Sequence, residues 1–162
     1  MRGLILAVVW VAALAQDRDS AVIDKFIASQ ESEGNGYQAK GIRTILRGDL
    51  NHDGIPDIAV LYTLEGQFKT NNYVQYLVVF VHVKGRLVHA AHTPVGGKYS
   101  RSIELTEITD NVMFFKTLDY AESDPRCCPS IEGTTKYVLR GGALQESGRA
   151  APVRKRKSPS AC

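Results

Sequence analysis

Residues 73–83 read Tyr-Val-Gln-Tyr-Leu-Val-Val-Phe-Val-His-Val, and no other stretch restricts the possible folds as much. Its β-branched and aromatic residues favour a strand over a helix. Successive strand side chains point to opposite faces. Leu77, Val79 and Val81 therefore share one face, and Val74, Tyr76, Val78 and Phe80 share the other. Both faces are apolar, so the strand belongs inside a sheet that is covered on both sides.

The rest of the chain supplies the cover and the partners. Asp19 or Ser20 can cap a helix that carries Val22, Ile23, Phe26 and Ile27 on one stripe and ends near Ser29, before the polar run 31–35. Period-2 patterns then predict strands at 38–47, 58–64, 73–83, 86–92, 102–108, 112–120, 135–139 and 143–146. Short links at Lys84-Gly85, Thr109-Asp110-Asn111 and Gly141-Gly142 call for antiparallel hairpins. The expected fold is α+β, mainly β, with the N-terminal helix packed on a curved antiparallel sheet.

The ends of the chain differ from its middle. Residues 1–15 carry Arg2, an apolar run from Leu4 to Ala13 and the small-x-small signal Ala13-Leu14-Ala15, the pattern of a cleavable signal peptide. Gln16 and Asp17 interrupt the apolar run well short of the ~20 residues a spanning helix requires, so no membrane span is expected. Residues 16–147 are expected to form a single domain, and 148–162 a disordered basic tail. Arg2 and five basic residues of the tail account for the formal charge of +3; without them the body stands at −3. A mildly acidic exported body does not suit nucleic-acid binding. The localisation read from these features is export, to a periplasmic or extracellular space.

One segment carries specific chemistry. Asp49, Asn51, Asp53 and Asp57 stand at positions 1, 3, 5 and 9 of a D-x-N-x-D-G-x-x-D pattern, with Gly54 at position 6. Calcium (Ca2+) takes ~6–8 oxygen ligands, and a coiled loop with a glycine at its sharp turn presents alternate side chains inward. The Ile55 carbonyl is the natural fifth ligand, because Pro56 biases Ile55 towards an extended backbone. Position 12 is Val60, where an EF-hand has glutamate, and the following residues read as strand. The loop resembles the inter-strand calcium loops of FG-GAP propeller repeats, here in a single copy. Its three carboxylates suit an affinity on the order of 10⁻⁴–10⁻³ M and a structural role.

Cys127 and Cys128 are adjacent, and Cys162 ends the tail. Neighbouring Cα atoms lie ~3.8 Å apart, below the usual ~4.4–6.8 Å for a disulfide. Three arrangements remain open: a vicinal bridge or partly reduced pair (favoured here), one of the two joined to Cys162, or an intermolecular link through Cys162. No C-x-x-C exchange motif is present.

Together, 48–54, 59–66, 71–76, 95–98 and Cys127-Cys128-Pro129-Ser130 resemble a group of uncharacterised exported bacterial proteins. The Asp-Pro-x-Cys-Cys-Pro-Ser segment, 124–130, is also similar to the mycobacterial LppP/LprE lipoproteins, although the lipid-attachment cysteine is missing. The resemblance implies export and carries no activity with it.

Catalytic signals are sparse. There is no G-x-S-x-G, no S-x-x-K with K-T-G, and 96–100 lacks phosphate-loop spacing. His89 and His92 are expected on opposite strand faces, whereas His82 and His89 would be diagonal neighbours across a hairpin. The leading expectation is a calcium-stabilised, non-enzymatic binding or cell-envelope module, with the segment from Tyr62 to Tyr76, including Asn71, Asn72, Tyr73 and Gln75, as a recognition surface. The alternative is a hydrolase or inhibitor-type protein whose site converges only in three dimensions, drawing on Asp119, Glu122, His82 or His89.

Overall fold

The computed structural model describes residues 4–67 and 69–148. The expected basic tail, apart from Gly148, lies outside the described residues together with Cys162, as do residues 1–3 of the expected leader.

Helix α1 spans Leu4–Gln30. The helix expected to start at Asp19 or Ser20 instead begins at Leu4 and runs without a break through the residues expected to form a leader. No Gly or Pro falls between Leu4 and Gln30, and the run is rich in Ala and Leu, the strongest helix formers. Asp19 is consequently an interior residue, and its carboxylate pairs with Arg47 (3.0 Å) instead of capping. After a π-helical turn, Glu31–Asn35, the chain leaves through Gly36 at φ 108°, a conformation that only glycine adopts without strain. Among the described residues no helix is long and apolar enough to cross a membrane.

The strands follow as β1 Tyr37–Gly48, β2 Asp57–Gln67, β3 Asn72–Val83, β4 Arg86–Gly97, β5 Arg101–Thr109, β6 Val112–Asp119, β7 Ile131–Arg140 and β8 Ala143–Ser147. All eight were legible as strands. The fold is α+β and mainly β, and the strands divide between two four-stranded antiparallel meanders, ordered β1-β2-β3-β4 and β5-β6-β7-β8. Three hairpins close on two-residue turns with both central residues at positive φ: Lys84 and Gly85 (51°, 74°), Asp110 and Asn111 (49°, 65°), Gly141 and Gly142 (55°, 75°). These signs of φ match the right-handed twist of paired strands.

The layers run helix, first sheet, second sheet. On one side of the first sheet, Ile23 and Ile27 of α1 pack with Ile58, Val60, Tyr62, Leu64, Val78 and Phe80. On the other, Ala59, Leu61, Leu77, Val79 and Val95 meet Ile103, Leu105, Met113, Phe115 and Tyr137 of the second sheet. β3 is therefore covered on both faces, as its pattern demands. Each fully buried Leu, Val, Ile or Phe contributes ~1.5–3 kcal/mol by transfer from water, so both clusters drive folding.

Candidate functional site

The acidic loop joins β1 to β2 at one edge of the sandwich. Gly48 begins it, because a Cβ there would stand 2.5 Å from Ile108 Cγ2 of the second sheet. Asp49 then organises the turn. Its Oδ1 accepts the N–H groups of Asn51 (3.2 Å) and His52 (2.7 Å), and its Oδ2 accepts that of Gly54 (2.9 Å). Gly54 sits at φ 78°. Burial raises the Asp49 pKa, but four backbone N–H groups, those of Gly54, His52, Asn51 and Asp53, outweigh it and hold the carboxyl below its ordinary value. Asp53 Oδ1 accepts the Ile55 N–H (2.8 Å), and its Oδ2 accepts from the Asn51 amide (2.9 Å).

Asp57 differs from the others. It is fully buried, and its two oxygens accept the N–H groups of Leu50 (3.0 Å) and His82 (2.9 Å). One carboxylate thus ties the start of the loop to β3. The loop brings Asp49, Asn51 and Asp53 together through these bonds, leaves Ile55 exposed, and turns Asp57 towards the sheet. Among the described residues no three His, Cys, Asp or Glu side chains lie close enough to hold a metal ion.

The donor chemistry nevertheless fits a hard cation: every ligating atom is oxygen, and three carboxylates fall within nine residues. The Asn51 amide donating to Asp53 offsets the like-charge repulsion in the loop. Each carboxylate oxygen that accepts one N–H still keeps lone-pair capacity. Asp49, Asn51 Oδ1, Asp53, the Ile55 carbonyl and Asp57 are the groups that would hold calcium.

His82, His89 and His92 belong to the helix side of the first sheet. His82 Nδ1 donates to the Pro56 carbonyl (2.7 Å), and its Nε2 lies 3.4 Å from Asp19 Oδ1, so the ring links loop, β3 and α1. Phe80 pairs with His89 and His82 with Leu87, the register expected of the Lys84-Gly85 turn. The expectation for His89 and His92 is corrected: the register shifts between Val79 and Phe80, which leaves an extra residue at Ala90 and returns both rings to one face. Phe26 of α1 touches each of them, stacked on His89 at 4.7 Å and edge-on to His92 at 5.2 Å. The Tyr62 hydroxyl and His92 Nε2 hydrogen-bond at 2.8 Å, and Tyr76 stacks on His92 at 4.9 Å. Burial, with His89 adding to it, lowers His92 to about 4. Tyr62 is therefore core, and the expected recognition surface is reduced to the residues near Tyr73.

A polar cleft of about 520 Å³ opens where the two sheets part, beside the β4–β5 turn. Arg101 forms its floor. Its Nε donates to the Val95 carbonyl (2.8 Å), Nη1 to Glu146 Oε1 (2.7 Å), and Nη2 to the Tyr137 hydroxyl (2.9 Å) and Glu146 Oε2 (3.2 Å). Hydrogen bonding to Arg101 lowers the Glu146 carboxyl to about 2 against the opposing effect of burial. Asp119, Tyr73 and Lys98 line the walls. The convergent set expected of an enzyme is not assembled: of Asp119, Glu122, His82 and His89, the cleft takes only Asp119. Sequence reasoning missed Arg101 and Glu146. The readable signal was an arginine in phase with Ile103 and Leu105, on the inward face of a strand.

The cysteine segment forms the loop after β6. Asp124 closes it, accepting the Ala121 N–H (2.8 Å), the Ser130 N–H (2.9 Å) and the Ser130 hydroxyl (2.8 Å). Cys127 and Cys128 are exposed, and their sulfurs are paired with Cα atoms 3.8 Å apart. No protein-family model, curated protein or solved structure matches the chain.

Proposed function

We propose that the chain is an exported, calcium-clamped binding module of the cell envelope and not an enzyme. The observation that carries this reading is the fully buried Asp57 carboxylate, which joins the acidic loop to β3 through the N–H groups of Leu50 and His82. An ion held by the same loop would neutralise its carboxylates and stiffen the crossing from β1 to β2. The resemblance to exported bacterial proteins and the leader-like residues 1–15 support export. The cleft supports binding over catalysis: Glu146 is committed to Arg101 and held at about 2, which unfits it as a general acid near neutral pH.

Thermal unfolding with millimolar Ca2+ and with chelator, repeated on Asp53→Ala, tests the reading. A ligand that binds only the folded state adds ~2.7 kcal/mol at a hundredfold excess over its dissociation constant. The expected result is a calcium-dependent rise in the midpoint that Asp53→Ala abolishes. An unchanged midpoint would make the loop a turn and nothing more.

A further inference from the structure

Cys127 and Cys128 take no part in the acidic loop or the cleft, and neither burial nor chain topology accounts for them. Cysteine is among the residue types most often buried, yet both are exposed, on the loop that follows β6. A disulfide stabilises chiefly by closing a loop of chain, and does so more for a longer loop. This bridge joins sequence neighbours and encloses no intervening residue. It therefore draws no distant segments together and removes little freedom from the unfolded chain.

Other bonds already hold the loop. Asp124 gathers both of its ends, accepting the Ala121 N–H (2.8 Å), the Ser130 N–H (2.9 Å) and the Ser130 hydroxyl (2.8 Å). The Asp124 N–H returns to the Ala121 carbonyl (3.0 Å), and the Cys128 N–H donates to the Pro125 carbonyl (2.9 Å). The Tyr120 hydroxyl donates to the Arg126 carbonyl (2.9 Å). None of these bonds uses a sulfur, so opening the bridge breaks none of them. The two thiols it leaves stand on adjacent residues, within reach of each other for reclosure. What remains to the pair is sulfur chemistry open to solvent, where cysteine reactivity and not packing decides its use. Exposed disulfides are the labile kind.

We infer that Cys127 and Cys128 form a reversible thiol–disulfide site, opened by low-molecular-weight thiols such as glutathione while the fold stays intact. The thiolate of one such molecule attacks a sulfur of the bridge. The S–S bond breaks, a mixed disulfide forms, and the other cysteine leaves as a thiolate that takes up a proton. A second thiolate attacks the small-molecule sulfur of that mixed disulfide and releases the first cysteine, which is protonated in turn. Two small thiols are oxidised to one disulfide, and the bridge is reduced to two thiols by the two electrons and two protons they give up. The inference is independent of the calcium loop. The test uses the full chain with Cys162→Ser, which leaves only these two cysteines. The protein is equilibrated without oxygen at neutral pH in glutathione buffers, from fully oxidised to millimolar reduced. Acid quenching, alkylation and mass spectrometry then count the free thiols. The expected result is no free thiol in the oxidised buffer, two in the reduced one, and full return when the buffers are exchanged. Far-ultraviolet circular dichroism should be the same in both states, and the urea midpoints should agree within about 0.5 M. A bridge that resists millimolar glutathione until urea unfolds the protein would be a structural one. Two free thiols in every buffer would mean that no bridge forms, and loss of the fold on reduction would make the bridge a staple. Each of these three results would overturn the inference.

Discussion

Mild acid should weaken this fold through His92 before any carboxylate is protonated. The ring packs against Tyr76 and Phe26, and its Nε2 is bonded to the Tyr62 hydroxyl. Burial, reinforced by His89, lowers its pKa from the ordinary 6.5 to about 4. The folded state thus favours the neutral ring, and as pH falls the unfolded chain takes up the proton first. Stability is full above about 6.5 and is lost as pH falls towards about 4. At ~1.4 kcal/mol per pH unit the full span is worth roughly 3 kcal/mol. The ring remains partly open to solvent, which reduces the expected loss to about 1.5 kcal/mol. Urea unfolding at about pH 7.5 and about pH 4.5 reads this directly, as a midpoint lower by about 0.5–1.5 M at constant slope. His92→Phe keeps the stacking and removes the titration. It should start about 1 kcal/mol less stable, for want of the Tyr62 bond, and then lose less on acidification. His89, which burial also lowers, keeps part of the slope. Equal losses in the two proteins would refute the argument that the helix-side cluster holds a neutral His92.

Other perturbations have comparably definite outcomes. Asp57→Ala leaves the N–H groups of Leu50 and His82 without their acceptor; a loss of about 2–4 kcal/mol in denaturant unfolding is expected at neutral pH without calcium, and a larger one with it. Phe80→Ala, at a fully buried position under α1, should cost about 3–5 kcal/mol and expose α1 to proteolysis. Glu146→Gln uncovers the buried Arg101 charge and should destabilise the fold by about 1–3 kcal/mol, the Glu146 side chain being 35% exposed. The Glu146 carboxyl is lowered from 4.5 to about 2, so its contribution is present above 4.5 and lost as pH falls towards 2. The variant's stability should therefore fall less over that range.

Much of this architecture was legible before the structure. The two apolar faces of 73–83 demanded a covered central strand, and the hairpin residues placed the turns, because period and turn chemistry are local properties. Three features were not legible. The division into two sheets depends on how a meander folds back after Gly97, which no local pattern encodes. The meeting of His89 and His92 depends on a one-residue register shift opposite Val79 and Phe80. The cleft depends on residues as far apart as Arg101 and Glu146, whose bond joins β5 to β8. The acidic loop was readable in its spacing and glycine, yet the inward turn of Asp57 follows from the N–H groups of Leu50 and His82, and only the fold supplies the second of these. In the cysteine segment, the Asp124–Ser130 bonds explain why the motif begins and ends with those residues.

The claim at the centre of this account is that the loop from Asp49 to Asp57 takes calcium. Calorimetric titration of the purified protein with Ca2+ at neutral pH measures it most directly. The account predicts one ion per chain, a dissociation constant on the order of 10⁻⁴–10⁻³ M, and loss of binding in Asp53→Ala. The absence of a saturable heat, or an isotherm unchanged by Asp53→Ala, would contradict it.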